Sequence, residues 1–135
     1  MIGILIVSHS EDAARGIAQI AEGMAPSKGS VSVSGVGGND DGGLGVSVAK
    51  IYAALTEMLP RCDGILILPD LGSSILSSRG AIGMLSGEEA AKIIIADAPV
   101  LEGAMMAAVE ASTGSDLETV AATARDAKNL KKGDH

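Results

Sequence analysis

Four apolar runs recur along the chain, and between them the hydrophobic positions change period. Residues 2–7, Ile-Gly-Ile-Leu-Ile-Val, are apolar on both faces, as a fully buried strand requires. Residues 31–36 alternate valine with serine or glycine, the pattern of a half-exposed edge strand. Residues 64–69 are again apolar on both sides, and residues 92–96, Lys-Ile-Ile-Ile-Ala, predict a fourth strand. The segments between them follow a helical period. Residues 12–24 predict a helix that buries Ala13, Ile17, Ile20, Ala21 and Met24. After a turn at 26–29 and the edge strand, residues 44–59 predict a second helix. Its apolar face is Leu44, Val48, Ile51, Leu55 and Met58, and Pro60 ends it. A third helix is expected over 74–85. A fourth has Pro99 in its first turn and reaches about Ser112. Ser115-Asp-Leu-Glu118 matches a capping box for the last helix. Residues 1–127 then form one domain, and the lysine-rich residues 128–135 read as a flexible tail. No internal repeat is present.

Alternation of apolar strands with helices implies an α/β fold, a three-layer sandwich with a mainly parallel sheet and helices on both faces. Right-handed crossovers leave few topologies. The order 2-1-3-4 puts the alternating strand at an edge and the two most apolar strands in the centre. The switch point then falls between strands one and three, whose carboxyl ends share one crevice.

Composition narrows the partners. The chain has 135 residues, 47% of them hydrophobic, yet it has no Trp, no Phe and one Tyr, Tyr52. Its core must be built from Ile, Leu, Val, Ala and Met. A net charge of -7 and a pI near 4.6 argue against nucleic acid or an anionic membrane as partner. Cys62 is alone, which suits a reducing compartment, and it reads as a small buried hydrophobe. No segment has the length of a membrane span, and no basic signal region opens the chain. A cytoplasmic protein is expected.

Polar residues that can do chemistry gather where the strands run out. His9 follows the first strand, and the only other histidine is the last residue, His135. An imidazole there can accept a proton, a metal or a phosphoryl group near neutral pH. Asp70 follows strand three and Asp97 follows strand four. The loop 37–45, Gly-Gly-Asn-Asp-Asp-Gly-Gly-Leu-Gly, reaches the same edge and is rich in residues that tolerate positive φ. A carboxylate beside an imidazole accepts the proton of one ring nitrogen and leaves the other lone pair free to attack. Gly72, Ser73 and Ser74 at a helix start offer N–H groups and hydroxyls to phosphate oxygens. Together they describe a histidine phosphorylated in place. The simpler alternative is that Asp70 and Ser73 or Ser74 only cap a helix.

These residues resemble a known family. Val7-Ser-His-Ser10, Gly37-Gly-Asn-Asp-Asp-Gly42, Asp70-Leu-Gly-Ser-Ser74 and the run 97–104, Asp-Ala-Pro-Val-Leu-Glu-Gly-Ala, are similar to the mannose-type IIA domains of the bacterial phosphotransferase system. Within that family they look most like the phosphocarrier subunits of phosphoenolpyruvate-dependent dihydroxyacetone kinases. The resemblance implies that His9 is phosphorylated, as a tele-phosphohistidine, and that Asp70 hydrogen-bonds it. It implies a phosphate site at Gly72, Ser73, Ser74 and Gly38. Phospho-HPr would be the donor, and ADP on the kinase subunit DhaL the acceptor. It also implies a phosphotransferase subunit without cofactor or metal, assembled as a homodimer. Where relatives often carry Gly-Thr-Ser after the glycine loop, this chain has Gly45-Val46-Ser47. Longer relatives fuse HPr-like and enzyme-I-like domains behind this one. A sugar-permease IIB domain is the alternative acceptor.

Other classes fit less well. A receiver-like signalling domain, phosphorylated on Asp70, needs an acidic pair after strand one. Ser8-His9-Ser10 stands there, and Glu11 and Asp12 fall in the helix start. A metal hydrolase could use His9, Asp70 and Asp97 as a facial triad but lacks an evident base. A Ser–His–Asp hydrolase lacks a nucleophile elbow, because Ser8 and Ser10 point away from His9 along an extended chain. A dinucleotide fold needs glycines in the first strand-to-helix turn, and there are none.

Overall fold

A computed structural model describes residues 1–26 and 29–133 of the chain. In order its strands and helices are β1 (Ile2–Ser8), α1 (Glu11–Met24), β2 (Val31–Gly37), α2 (Val48–Met58), β3 (Gly64–Pro69), α3 (Gly72–Ile82), α4 (Gly87–Ala90), β4 (Ile93–Ile95), α5 (Val100–Ser112) and α6 (Leu117–Asp126). The strands form one parallel sheet in the order β2-β1-β3-β4. This is the α/β sandwich and the strand order expected from the apolar runs.

Period-two alternation divides the strands between two cores. Ile2, Ile4 and Ile6 of β1, with Leu66 and Leu68 of β3, face α1, α5 and α6. Leu5 and Val7, with Ile65 and Ile67, face α2 and α3. The first of these cores is unusually rich in alanine: Ala14, Ala18, Ala21, Ala104, Ala107, Ala108, Ala111, Ala121 and Ala124 are all buried there. Small side chains let these helices approach closely, which is how a core without Phe or Trp reaches close packing. Gly35 marks the tightest contact, since a Cβ there would stand 2.4 Å from the Ala14 carbonyl oxygen.

That close approach corrects the expected face of α1. Ala14, Ala18 and Ala21 are buried, and Ile17 packs against them. Ile20 and Met24 are about half exposed, and Ala13 is exposed. The larger residues cannot enter the narrow space above β2, so the inward stripe is the alanine stripe. The second helix also begins later than its spacing suggested. Ser47 caps it by accepting from Lys50 N–H at 3.1 Å, so Leu44 stays outside in the loop. Pro60 lies within a short 3-10 turn, Leu59–Arg61, that extends α2. At α6 the cap is Asp116, which accepts from Thr119 N–H at 2.9 Å, rather than Ser115. The Ser115 hydroxyl instead donates to Glu110 of α5 at 2.6 Å. Residues 127–129 form a further 3-10 turn, and Lys132 pairs with Glu102 at 2.7 Å. Ser27 and Lys28 of the expected turn, together with Asp134 and His135, lie outside the described residues.

The register positions the site. Val7 of β1 stands opposite Pro69 of β3 and Val36 of β2, so three strands end flush. Asp70 N–H donates to the Val7 carbonyl at 3.0 Å, carrying the ladder one residue further. His9 and Asp70 therefore leave the sheet side by side.

Candidate active site

Two aligned strand ends and one helix start build the site. Ser10 caps α1, accepting from Ala13 N–H at 3.2 Å, so the chain turns immediately after His9. Glu11 and Asp12 lie in the first turn of α1, where they complement its dipole. Across the switch point, α3 begins at Gly72, two residues earlier than the sequence suggested. Gly72, Ser73 and Ser74 thus form its first turn: Ser74 N–H donates to the Leu71 carbonyl at 3.0 Å, and Gly72 and Ser73 hold positions whose N–H groups have no acceptor within an α-helix.

Asp70 is at the centre of the hydrogen bonding. Its Oδ1 lies 3.0 Å from His9 Nδ1 and accepts from the Ser74 hydroxyl at 2.6 Å and from Leu71 N–H at 2.7 Å. Its Oδ2 accepts from His9 N–H at 3.0 Å. Burial, the largest single influence, works to raise this carboxyl. Hydrogen bonds from Ser74, the His9 backbone, Ser8 and the His9 ring together outweigh it, and hold the group well below the usual carboxylate range. Asp70 is thus a fixed anion. The residue that stands as the cap of α3 is Leu71, without a side-chain cap. The carboxylate of Asp70 reaches past the helix start to the imidazole, which a helix cap has no need to do.

The anion decides the tautomer. A carboxylate only accepts, so the hydrogen bond assigns the ring proton to Nδ1 and leaves the lone pair of the neutral ring on Nε2. Nε2 lies 2.6 Å from the Ser73 hydroxyl, which therefore donates to it. Ser74 Oγ is fully buried and also lies 3.4 Å from Nδ1. The imidazole is 29% exposed and Asp70 18%, so the ring is held by the carboxylate at Nδ1 and stays partly open to solvent.

The glycine loop closes the other side. Gly45 N–H donates to the His9 carbonyl at 2.8 Å. Asn39 organises the loop: its Oδ1 accepts from Asp41 N–H at 3.0 Å and Gly43 N–H at 2.8 Å. Gly38, Gly42 and Gly45 all have positive φ, which only glycine adopts without strain. Gly38 lies at the root of this loop, beside the Gly43 carbonyl and the Lys50 ammonium. Lys50 Nζ donates to the Gly37 carbonyl at 3.3 Å. The sequence pattern marks Asn39 and Gly45 only as members of the glycine loop, without these roles, and does not mark Lys50 at all. Asn39 was the findable one, since Asn followed by Asp and Gly signals an Asx turn. Asp97 is exposed. Among the described residues no three His, Cys, Asp or Glu side chains come together as a metal-ligand set, so Asp97 forms no facial triad with His9 and Asp70.

A cleft of about 260 Å³ lies beside His9, between Ser10, Glu11 and Asp12 and the loop residues Gly42, Gly43 and Leu44. A larger one of about 490 Å³ lies at the opposite, amino-terminal edge of the sheet, lined by Met1, Asp63 and Leu117 among others. Neither His9 nor Asp70 lines it. Chemistry, rather than size, places the site at the carboxyl edge. Among the described residues, no helix is long and apolar enough to cross a membrane.

Known proteins resemble this chain along most of its length. Residues 3–121 match the family EIIA-man, described as the PTS system fructose IIA component. The chain is 33% identical over 134 residues to the phosphoryl donor subunit DhaM of the PEP-dependent dihydroxyacetone kinase of Escherichia coli K12. That match covers 98% of this chain and 28% of the relative's length. It is 34% identical over 120 residues to a Listeria innocua subunit of the same description, from dihydroxyacetone kinase 2, covering 89% of this chain and 94% of that one. The crystal structure of EF1359, described as a protein of unknown function, superposes with a TM-score of 0.80 at 35% identity, over 93% of each chain. A flush parallel switch point, a histidine held there by an aspartate, and matches along nearly the whole chain lead to one conclusion: the chain belongs to the EIIA-man family of phosphotransferase-system IIA components, alongside the DhaM phosphoryl donor subunits.

Proposed function

We propose that the chain is the phosphohistidine carrier of a phosphoenolpyruvate-dependent dihydroxyacetone kinase, working in the cytoplasm. The observation that carries this reading is the His9 Nδ1 to Asp70 Oδ1 contact of 3.0 Å, because it puts the ring proton on Nδ1 and leaves the lone pair on Nε2, where only the Ser73 hydroxyl meets it. That lone pair attacks the phosphorus of phospho-HPr. A new N–P bond forms on His9 as the donor's own N–P bond breaks, its electron pair returning to the donor ring. The phosphorylated ring of His9 keeps its Nδ1 proton and gains positive character, which the Asp70 anion stabilises. Ser73 exchanges its bond to Nε2 for one to a phosphoryl oxygen. The amides of Gly72 and Ser73, the positive end of α3, and the Gly38 end of the glycine loop receive the remaining oxygens, with Ser74 holding Asp70 in place. In the second step a terminal phosphate oxygen of ADP on DhaL attacks the phosphorus, and the N–P electron pair returns to His9. The chain acts as a phosphotransferase subunit that needs neither cofactor nor metal, because the phosphoryl group is never free.

Incubation with phosphoenolpyruvate, enzyme I and HPr, followed by intact mass measurement, tests the reading. We expect the mass of one phosphoryl group, labile to acid and stable to mild alkali, and none on His9→Ala. Labelling of His9→Ala but not of Asp70→Ala would give the site to a receiver-like chemistry instead. Transfer to a IIB domain but not to ADP-loaded DhaL would move the chain to the sugar-permease branch.

A further inference from the structure

Lys50 stands at the wrong end of its helix for a cation. It lies in the first turn of α2, which holds no acidic residue. The positive end of the helix dipole disfavours an ammonium there. Its backbone N–H donates to the capping Ser47 hydroxyl at 3.1 Å. Its side chain is half-buried and runs to the end of β2, where Nζ donates to the Gly37 carbonyl at 3.3 Å. Gly37 is paired with Ser8, the residue before His9. With neighbouring strands about 4.8 Å apart, the ammonium stands roughly 10 Å from the His9 turn. Carboxylates are close at hand. Asp40 accepts from Ser47 at the same helix start, and a Cβ on Gly38 would stand 3.7 Å from Lys50 Nζ and 3.9 Å from Glu11 Cβ. Arg15 takes Glu11 at 3.2 Å. Lys50 takes neither carboxylate: among the described residues its ammonium bonds only a carbonyl. Arg79, further along α3 than Ser73, is exposed.

We propose that Lys50 is the counter-charge of the phosphorylated state: its ammonium stabilises the phosphoryl group on His9 through its field, touching neither the ring nor the phosphoryl oxygens. This role rests on the carrier reading above and adds a residue to it. Transfer forms one N–P bond on His9 as the donor's N–P bond breaks, and it leaves the chain about one unit more negative, with the charge on the phosphoryl oxygens. That charge arrives beside the Asp70 anion and near four exposed carboxylates, Glu11 and Asp12 opening α1 and Asp40 and Asp41 in the glycine loop. In a chain of net charge -7, each of them raises the energy of the phosphorylated form. An ammonium paired with Asp40 or Glu11 would have its field cancelled. Bonded to a neutral carbonyl, it is fixed in place with its charge uncompensated, and the incoming group meets that charge in full. The cost of a cation at the start of α2 is then offset in the phosphorylated state rather than in the free one.

The exchange equilibrium with HPr tests the field, because an equilibrium constant does not depend on how two proteins dock. Phospho-HPr and the chain are brought to equilibrium, and intact mass gives the phosphorylated fraction of each variant relative to the parent. Lys50→Gln removes the charge and retains a donor for the Gly37 carbonyl; Lys50→Arg retains both. At about 10 mM salt, where screening is weak, Lys50→Gln should move the equilibrium toward phospho-HPr by roughly two- to fourfold, the effect of one charge about 10 Å away near a protein surface. Lys50→Arg should match the parent. The shift should vanish near 1 M salt, where the Debye length is about 3 Å. Lys50→Met removes the charge and the bond together and should shift the equilibrium no further than Lys50→Gln. An unchanged equilibrium in Lys50→Gln at low salt overturns the counter-charge. A shift of equal size at both salt concentrations, or one in Lys50→Met alone, makes Lys50 an anchor for the end of β2 and also overturns it. Each of these results leaves the carrier reading standing. Failure of the parent to take phosphate on His9 removes that reading and this role with it.

Discussion

Asp70 carries more of this site than any other residue, and its hydrogen bonds say how it should behave. It is held anionic by donors from Ser74, His9, Leu71 and Ser8. Asp70→Asn keeps the volume but offers an amide that can hold the wrong tautomer. We expect phosphoryl transfer to fall by at least ~10-fold, by analogy with the orienting carboxylate of a catalytic triad. Rapid-quench kinetics against phospho-HPr would measure it, and unchanged rates would reduce Asp70 to a helix anchor. The same residue predicts a pH dependence of stability. Its folded-state value is lowered, so its contribution is fully present above the unfolded value of about 4, and is lost as pH falls from there toward the folded value. Urea midpoints of the parent and of Asp70→Asn should therefore differ most at pH 7 and converge as pH drops below about 4. A gap that stays constant down to pH 3 would count against an anionic Asp70.

At the scale of elements, the contact between α1 and β2 sets the geometry. Gly35 leaves no room for a side chain under the Ala14 carbonyl. Gly35→Ala must push α1 away from the sheet, or bend β2, at a cost of at least ~2 kcal/mol, and it shifts the His9 turn at the amino end of that helix. Denaturant unfolding should report the loss directly. Gly16 in the same helix is the opposite case, because a Cβ there meets nothing within 4 Å. Gly16→Ala should stabilise by ~0.5–1 kcal/mol through helix propensity alone. If both substitutions have the same sign, the close approach of α1 to β2 is wrong. The buried alanines explain why the expected face of α1 was displaced. Hydrophobic periodicity ranks Ile20 and Met24 as core, but the space over β2 admits only small groups. The late start of α2 has a similar local cause: Ser47 caps it, and its hydroxyl also donates to Asp40 at 2.5 Å, tying the helix start to the loop.

At the scale of the whole molecule, the sheet leaves β4 as an edge of three isoleucines, each only half buried. Ile82 and Leu85 add apolar area beside it. Unprotected edges of this kind pair or aggregate unless something covers them. We expect a homodimer joined along that edge, which leaves both His9 crevices open. Light scattering after size exclusion at low micromolar concentration should give twice the chain mass. Introducing Ile94→Lys should return a monomer that still accepts phosphate. A parent that runs as a monomer would mean that the edge is covered in some other way.

What the linear order of residues determined is the layer plan. Period-two and fully apolar runs specify strands, and strand–helix alternation forces parallel pairing with crossovers, so the order 2-1-3-4 and the meeting of His9 with Asp70 were readable without coordinates. Those are consequences of local pattern and chain connectivity. The rest depended on distances between elements far apart in sequence. That Nδ1 rather than Nε2 faces the carboxylate, and that Ser73 meets the imidazole while Ser74 holds the anion, follow from the register of β1 on β3 and from α3 starting at Gly72. Which face of α1 is buried followed from the space above β2. Periodicity states which residues share a side of an element; only packing decides which side turns inward and how close it comes.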